Sequence, residues 1–172
     1  MQLLVIRHAR AESVKEFAKT GKDDDLRPLT ADGRERMRLG AAGLHRLVDE
    51  IDLLASSPLL RARQTADILA EEFGAPDVVE LDQLRPQTPP ADFIEWVRDA
   101  GARETVAIVG HEAQLTGLVG WLLTGSPDPI VEIRKGAAVM LEVGAPRPGR
   151  GRPYGARLLW ALTPRQLRML GA

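Results

Sequence analysis

The chain has 172 residues, which is enough for one domain with a full hydrophobic core and short for two. Hydrophobic residues make up 44% and charged residues 27%, the usage of an ordinary globular protein, which excludes a disordered chain or a coiled coil. The formal net charge is -1, so no overall basic field indicates nucleic acid. We expect a single domain over residues 1–172 that has no nucleic-acid partner.

The sequence contains no cysteine. This excludes disulfides, thiolate zinc sites, iron–sulfur clusters and thiol nucleophiles. Residues 1–7 lack the pattern of a secretory signal, because Arg7 interrupts the apolar run early. The best apolar stretch elsewhere, residues 115–123, is far shorter than the roughly 20 residues that cross a bilayer. These features predict a cytoplasmic protein without a membrane partner.

The first third of the chain begins and ends with predicted strands. Residues 3–6 are a continuous apolar run, typical of a strand buried on both faces, and residues 7–25 predict a long polar loop. Thr30 is a good N-cap, and the apolar stripe after it predicts a helix to about Glu50. Residues 51–55 form a second short strand pattern.

The middle of the chain continues this alternation. Residues 60–73 predict a helix with Gly74 just past its end, and residues 78–81 predict a weak strand. A helix is predicted from Pro89 to about Gly101, followed by a buried strand over residues 105–109.

In the last third of the chain, the sequence predicts a helix over residues 115–123 and strands over residues 137–143 and 157–162. Residues 144–153 between those strands form a Gly/Pro/Arg loop whose role the sequence leaves open. Strands that alternate with helices indicate an α/β domain with a largely parallel sheet, to which the last two strands add an antiparallel pair.

Residues suited to phosphate chemistry follow three of these strands. Arg7 and His8 follow the first, Ser57 and then Arg61 follow the second, and His111 follows the strand over residues 105–109. Ligands of open α/β sheets bind beyond the carboxyl ends of the strands. If these strands are neighbours, two imidazoles and two guanidiniums meet at one edge, with helix N-termini directed at the same place.

A phosphoryl group is the natural ligand of such a cluster. Arginine offers a planar fork of donors that matches phosphate oxygens, and a neutral histidine nitrogen can attack phosphorus. Two cations stabilise the charge that spreads over the transferring group. The design needs no metal, and the three histidines lack the spacing and partners of a zinc site, so we expect neither metal nor cofactor.

Three segments resemble the signatures of the histidine phosphatase superfamily: residues 4–9 (LVIRHA), 55–66 (ASSPLLRARQTA) and 109–112 (VGHE). The stretch over residues 27–33 (RPLTADG) and the small size resemble the branch of the SixA-type phosphohistidine phosphatases. The resemblance implies a phosphoglycerate mutase-like fold, a three-layer α/β/α sandwich around a mostly parallel mixed sheet.

The resemblance also implies roles for individual residues. His8 would be the catalytic nucleophile that forms a phosphohistidine intermediate. Arg7 and Arg61 would bind the phosphoryl oxygens, and His111 would contact the phosphoryl group and stabilise the transition state. Ser57 and Gln64, by contrast, are expected to be turn and packing residues near the pocket.

Two departures from the family pattern bear on the substrate. Ala9 stands where the family has glycine, which matters only if that position needs a positive φ. No glutamate lies in residues 81–86, where related branches carry a proton donor, and Arg85 stands in its place. Asp24 and Asp82 remain alternative donors. A missing acid favours phosphohistidine, whose P–N bond breaks without the proton assistance that an alkoxide requires.

The sequence therefore predicts a hydrolase that works on a phosphorylated substrate, most simply a phosphohistidine-bearing protein. The short segments between the motifs leave little material for a lid and favour an open site. Two alternatives stay open: a phosphatase of small phosphate esters or nucleotides, and a phosphate-binding module without activity.

Overall fold

A mixed sheet forms the centre of the computed structural model, which describes residues 1–75, 77–89, 92, 93, 96, 103–146 and 154–172. Its strands are β1 (Gln2–Arg7), β2 (Leu53–Ser56), β3 (Val79–Glu80), β4 (Thr105–Gly110), β5 (Ala138–Pro146) and β6 (Tyr154–Leu162). They lie in the order β3-β2-β4-β1-β5-β6. The first four of these are parallel, and β5 and β6 are antiparallel, as predicted.

Helices cover the sheet on both faces. In the described ranges they are α1 (Val14–Ala18), α2 (Ala31–His45), α3 (Leu60–Phe73), α4 (Gln114–Thr124) and α5 (Pro164–Leu170). Within those ranges no helix has the length and apolar character that crossing a bilayer requires.

Strand β1 is buried between the two helical layers. Leu3 and Val5 pack in the same apolar cluster as α4, whereas Leu4 and Ile6 pack with α2, α3 and α5. All four side chains are 0% exposed. Successive side chains of a strand point to opposite faces, so an uninterrupted apolar run is what a strand with two covered faces requires. The predicted three-layer α/β/α sandwich is confirmed.

Local signals set several helix ends where they were predicted. The hydroxyl of Thr30 accepts a hydrogen bond of 2.9 Å from the amide of Gly33, which caps α2. Helix α3 ends at Phe73, and Gly74 follows in the left-handed conformation with φ 57°. A residue with a Cβ is strained there, so glycine is favoured at this position.

The end of α2 differs from the prediction. The helix was predicted to run to about Glu50 but ends at His45. The amides of Leu47 and Val48 both donate to the carbonyl of Leu44, which closes the last turn. Val48 then turns into the core and is 5% exposed. The apolar residues in this stretch belong to a buried connection, which periodicity alone does not distinguish from helix.

The two antiparallel strands are longer than predicted. Gly144 to Pro146 were predicted as loop but continue β5, and Pro146 pairs with Tyr154 of β6. Residues 147–153, with the remaining arginines of the predicted loop, lie outside the described residues. So does most of the helix predicted from Pro89 to Gly101.

Helix α5 was not predicted, although the sequence carries a start signal for it. Thr163 and Gln166 form a capping box, in which each side chain bonds the other residue's backbone amide, and Pro164 occupies the first turn. Leu167 of this helix is 0% exposed and packs with α2.

The packing of α5 on α2 depends on the absence of one side chain, which gives a matched test. A Cβ at Gly43 would lie 2.0 Å from the carbonyl oxygen of Leu167, whereas a Cβ at Gly40 would meet nothing closer than 4.0 Å. We expect Gly43→Ala to lower the free energy of unfolding by about 1–3 kcal/mol or more. Gly40→Ala is expected to be neutral or stabilising by up to about 1 kcal/mol, since alanine is the better helix former. Urea denaturation of both variants measures the difference, and equal effects would contradict the close packing.

Candidate active site

The carboxyl ends of three neighbouring parallel strands define the site. Strands β2, β4 and β1 are adjacent, with Ser56 and Ile6 both opposite Val109. Backbone hydrogen bonds to β4 continue one residue beyond the ends of β1 and β2. The amide of His8 donates to the carbonyl of Gly110 at 3.0 Å. The amide of Ser57 donates to Val109 at 2.9 Å. Residues that follow these strands therefore lie side by side.

The two imidazoles are brought together and buried. The ring centroids of His8 and His111 are 5.0 Å apart, with an angle of 53° between the ring planes. His8 is 5% exposed and His111 is 3% exposed. The expectation that these histidines share one edge of the sheet is confirmed.

The backbone selects one tautomer of His8. Its Nδ1 lies 2.7 Å from the carbonyl oxygen of Ala9. Because a carbonyl oxygen only accepts, Nδ1 carries the proton, and Nε2 of the neutral ring keeps a free lone pair. The Ala9 amide in turn donates to the hydroxyl of Thr65 at 3.1 Å. Among the described residues no residue other than glycine has a positive φ, so Ala9 has a negative one. Alanine in place of the family's glycine is thus accommodated without strain.

Burial keeps His8 neutral. Burial lowers the pKa of His8 to about 3. The hydrogen bond to the Ala9 carbonyl opposes this shift, whereas the charges of Arg61, Arg7 and Lys135 add to it. At neutral pH the ring is therefore unprotonated, which is the state a nucleophile needs.

Ser57, which was predicted to be a turn residue, contacts His111. Nε2 of the imidazole lies 2.9 Å from the hydroxyl oxygen of Ser57. Burial, and then the nearby His8 and Arg61, lower the pKa of His111 to about 2. Ser57 therefore orients an imidazole at the site, while Gln64 accepts from the amide of Leu29 at 2.9 Å and anchors the preceding loop.

The two predicted arginines approach the same place. Arg61, in the first turn of α3, is 5% exposed, and its Nη1 donates to the carbonyl of Asp24 at 3.0 Å. Arg7 donates from Nη1 to the carbonyl of Ile133 at 2.9 Å. In both arginines the buried Nε–H has no hydrogen-bond partner among the described residues. Buried donors of this kind fit an anionic ligand.

Three further cations that line the site, Arg10, Arg27 and Lys135, were not recognised as site residues from the sequence. Arg27 is 6% exposed and donates to the carbonyl of Glu12 at 2.9 Å. Lys135, in the turn before β5, lines the same cavity, and partial desolvation and then the charge of Arg7 lower its pKa. Arg27 stands within the family-like stretch over residues 27–33, which was a signal for it, whereas no local pattern marks Lys135.

Both carboxylates considered as proton donors are paired with arginines. Asp24 lies 2.7 Å from Nε of Arg27 and 3.2 Å from Nη1 of Arg61. The hydrogen bond from Arg27, together with Arg61, holds the pKa of Asp24 below its usual value, so this carboxyl is ionised at neutral pH. The side chain of Asp82 is 83% exposed and lies 2.8 Å from Nε of Arg85.

Arg85 also pairs with Asp25 at 2.8 Å. Two of the three consecutive aspartates, Asp24 and Asp25, are therefore paired with arginines.

The cavity in front of His8 has a volume of about 500 Å³. Five cationic side chains and two carboxylates border it: Arg7, Arg10, Arg27, Arg61, Lys135, Glu12 and Glu112. Of these carboxylates, Glu112 accepts from the hydroxyl of Thr116 and lies 3.5 Å from Nη1 of Arg7. In the described part of the chain, no group of three or more His, Asp or Glu side chains could hold a metal ion. The fold and this cluster of histidines and arginines are together typical of an enzyme that acts on phosphate groups.

Comparisons with known proteins agree with this class. The family model of the histidine phosphatase superfamily (branch 1) matches residues 3–87. An uncharacterized protein of Picosynechococcus sp. is 31% identical over 149 residues, which cover 86% of this chain and 88% of that protein. Phosphohistidine phosphatase SixA of Escherichia coli is 28% identical over 178 residues, covering 100% of this chain and 99% of that protein.

A solved structure shares the fold. The protein histidine phosphatase SixA complexed with tungstate has a TM-score of 0.77 and 23% identity, covering 97% of this chain and 99% of that chain. The chain belongs to the histidine phosphatase superfamily and is a phosphatase, and its similarity to SixA proteins supports the SixA-type branch. The alternative of a phosphate-binding module without activity is thereby set aside.

Burial of the two neutral histidines predicts acid sensitivity. The unfolded chain protonates histidine near pH 6.5, whereas the folded pKa values are about 3 and about 2. Below about pH 6.5 the unfolded state binds more protons, so the free energy of unfolding falls as the pH falls, by up to about 1.4 kcal/mol per pH unit for each histidine. We expect His111→Gln to make this dependence shallower in urea denaturation between about pH 7 and about pH 4. Equal slopes for variant and wild type would contradict the burial of a neutral ring.

Proposed function

We propose that the protein hydrolyses phosphohistidine on a protein substrate, in two steps and without a metal ion, with His8 as the nucleophile. The observation that carries the proposal is the hydrogen bond from Nδ1 of His8 to the Ala9 carbonyl. It leaves Nε2 of the neutral ring without a proton, at the cavity that His111, Arg7 and Arg61 also line. The proposal also draws on the similarity to the E. coli protein whose name includes phosphohistidine phosphatase.

In the first step, Nε2 of His8 attacks phosphorus and forms a P–N bond while the bond between phosphorus and the leaving group breaks. Arg7 and Arg61 bind the equatorial oxygens, and His111 contacts the phosphoryl group. With phosphohistidine as substrate, the bond that breaks is of the same type as the bond that forms. The transfer between two imidazoles is then close to balanced in free energy.

The leaving group decides whether a proton donor is needed. An imidazole whose other ring nitrogen carries a proton departs as a stable neutral base, so no acid need protonate the nitrogen that leaves, whereas an alkoxide must be protonated as it leaves. Asp24 and Asp82 are both engaged by arginines. Glu112, at the cavity wall, is bonded to Thr116 and faces Arg7. The engagement of Asp24, Asp82 and Glu112 favours a leaving group that departs unaided, and Glu12 is the remaining carboxylate that borders the cavity.

In the second step, water attacks phosphorus and the P–N bond to His8 breaks, so the electron pair returns to Nε2. The proton of the attacking water leaves with the inorganic phosphate or passes to solvent. His8 is restored as a neutral ring with Nδ1 still bonded to Ala9. No step requires a metal, because the cationic side chains stabilise the charge that a metal ion would otherwise balance.

A small phosphate ester is the second candidate substrate. The cavity of about 500 Å³ lies within the range that binds small organic molecules, roughly 300–1,000 Å³. The volume accommodates a small ester as well as a single phosphorylated side chain presented by a protein.

Replacing the nucleophile tests the covalent mechanism. We expect His8→Ala to abolish turnover of para-nitrophenyl phosphate while circular dichroism and urea denaturation show a folded protein. Wild-type enzyme, quenched in alkali to preserve the P–N bond, is expected to carry a phosphoryl group on the peptide that contains His8, detected by mass spectrometry. Turnover without any labelled His8 peptide would overturn the mechanism.

Two arginines of the same helix provide a matched pair. Arg61 faces the cavity, whereas Arg63 pairs at the surface with Asp67 at 2.9 Å and Glu80 at 3.0 Å. We expect Arg61→Ala to lower kcat/KM by about 10²–10³-fold, or about 2.7–4 kcal/mol of transition-state stabilisation. Arg63→Ala should leave kcat/KM near the wild-type value, since exposed ion pairs contribute little. Similar losses in both variants would show that the effect is structural.

Substrate choice is tested by comparing a phosphohistidine-bearing phosphotransfer domain with a panel of sugar phosphates and nucleotides, all in the presence of EDTA. We expect the phosphohistidine substrate to have the highest kcat/KM, because its leaving group needs no acid. A sugar phosphate or nucleotide that is turned over faster would favour the second candidate. Loss of all activity in EDTA, with recovery on adding a divalent ion, would contradict a metal-free reaction.

A further inference from the structure

A second, strongly basic cavity adjoins the catalytic one. It has a volume of about 660 Å³ and lies between α2, the turn before β5 and the beginning of α5. Arg7, Arg10 and Lys135 line both cavities, so the two spaces share a wall. We call the second space the basic cleft; its remaining charged residues are Arg36, Glu132, Arg134, Arg165 and Arg168.

Part of the charge in the basic cleft is already balanced by carboxylates. Arg10 and Arg36 both pair with Asp32, at 3.4 and 2.6 Å, and Arg134 pairs with Glu132 at 3.1 Å. Seven cationic side chains nevertheless face a single lining carboxylate. Among the described residues, no carboxylate lies within ion-pair distance of Arg165, Arg168 or Lys135.

The distribution of these cations argues against a compact anion as the ligand. A site for one phosphate requires donors that converge on one point. In the basic cleft, Arg36, Arg134, Arg165 and Lys135 are exposed and come from three separate parts of the chain. The lining also extends from Gly33 to Gly40 of α2, about 10 Å along the helix axis at about 1.5 Å per residue.

A broad, exposed and cationic surface of this length suits several carboxylates spread over another molecule. We propose that the basic cleft docks acidic residues that flank the phosphorylated histidine of the protein substrate. The inference rests on the proposed function. Because the two cavities share Arg7, Arg10 and Lys135, a phosphohistidine can occupy one while neighbouring acidic side chains occupy the other.

The test compares two synthetic phosphohistidine peptides that share the same core and differ only in their flanks, glutamates in one and glutamines in the other. At low salt, wild-type enzyme is expected to show about a tenfold higher kcat/KM for the glutamate peptide, mainly through KM. The ratio should shrink as salt is added, because the Debye length falls from about 30 Å at 0.01 M to about 3 Å at 1 M.

The variant R165E/R168E should lose the preference between the peptides while it hydrolyses para-nitrophenyl phosphate at the wild-type rate, which also shows that it is folded. The control R38E/R157E makes the same change in net charge. Arg38 lies on α2 and Arg157 on β6, and neither lines the cleft. This control should keep the wild-type ratio.

The outcomes separate the docking proposal from the proposed function. If wild-type enzyme treats the two peptides alike, or if R165E/R168E keeps the preference, the docking proposal is wrong. If R165E/R168E instead loses activity only toward a bisphosphorylated sugar, the cleft binds a second phosphate and docking is again overturned. If neither peptide is hydrolysed while para-nitrophenyl phosphate is, the proposed function itself fails.

Discussion

The parallel pairing of β1 with β4 is the constraint on which the site depends. In this register Arg7 lies opposite Gly110, and the amide of His8 bonds to the Gly110 carbonyl. The chain therefore leaves both strands at the same level, with His8 and His111 in contact. Because side chains alternate between the faces of a strand, a slip of one residue would direct an imidazole to the wrong side of the sheet.

Burial keeps the two histidines neutral and reactive, and it also lowers the stability of the folded state in acid. Two neutral imidazoles are placed among guanidiniums and withdrawn from water, which lowers the pKa of His8 to about 3 and of His111 to about 2. Nearby carboxylates limit the repulsion among the cations, with Asp24 against Arg27 and Arg61. The same environment that keeps a nitrogen lone pair available at neutral pH makes the folded state sensitive to acid.

Most elements with strong local signals were predicted, whereas boundaries set by packing were not. Helix α3 was predicted with the bounds that the structure has, because an apolar face ends at a glycine with positive φ. The end of α2 was misplaced, since Val48 is buried in a connection that continues the apolar pattern. Helix α5 was missed although the capping box of Thr163 and Gln166 is local and readable.

The amino-acid sequence by itself determined the family, the sheet with its mixed end, and which strand ends bear histidine and arginine, because each of these residues adjoins its strand along the chain. Only the tertiary structure decided that Ser57 meets His111, that Asp24 binds Arg27 and Arg61, and that Lys135 faces the cavity. The basic cleft could likewise not be predicted from the sequence. Its residues come from segments far apart along the chain, and no periodic or spaced pattern records a proximity that only folding creates.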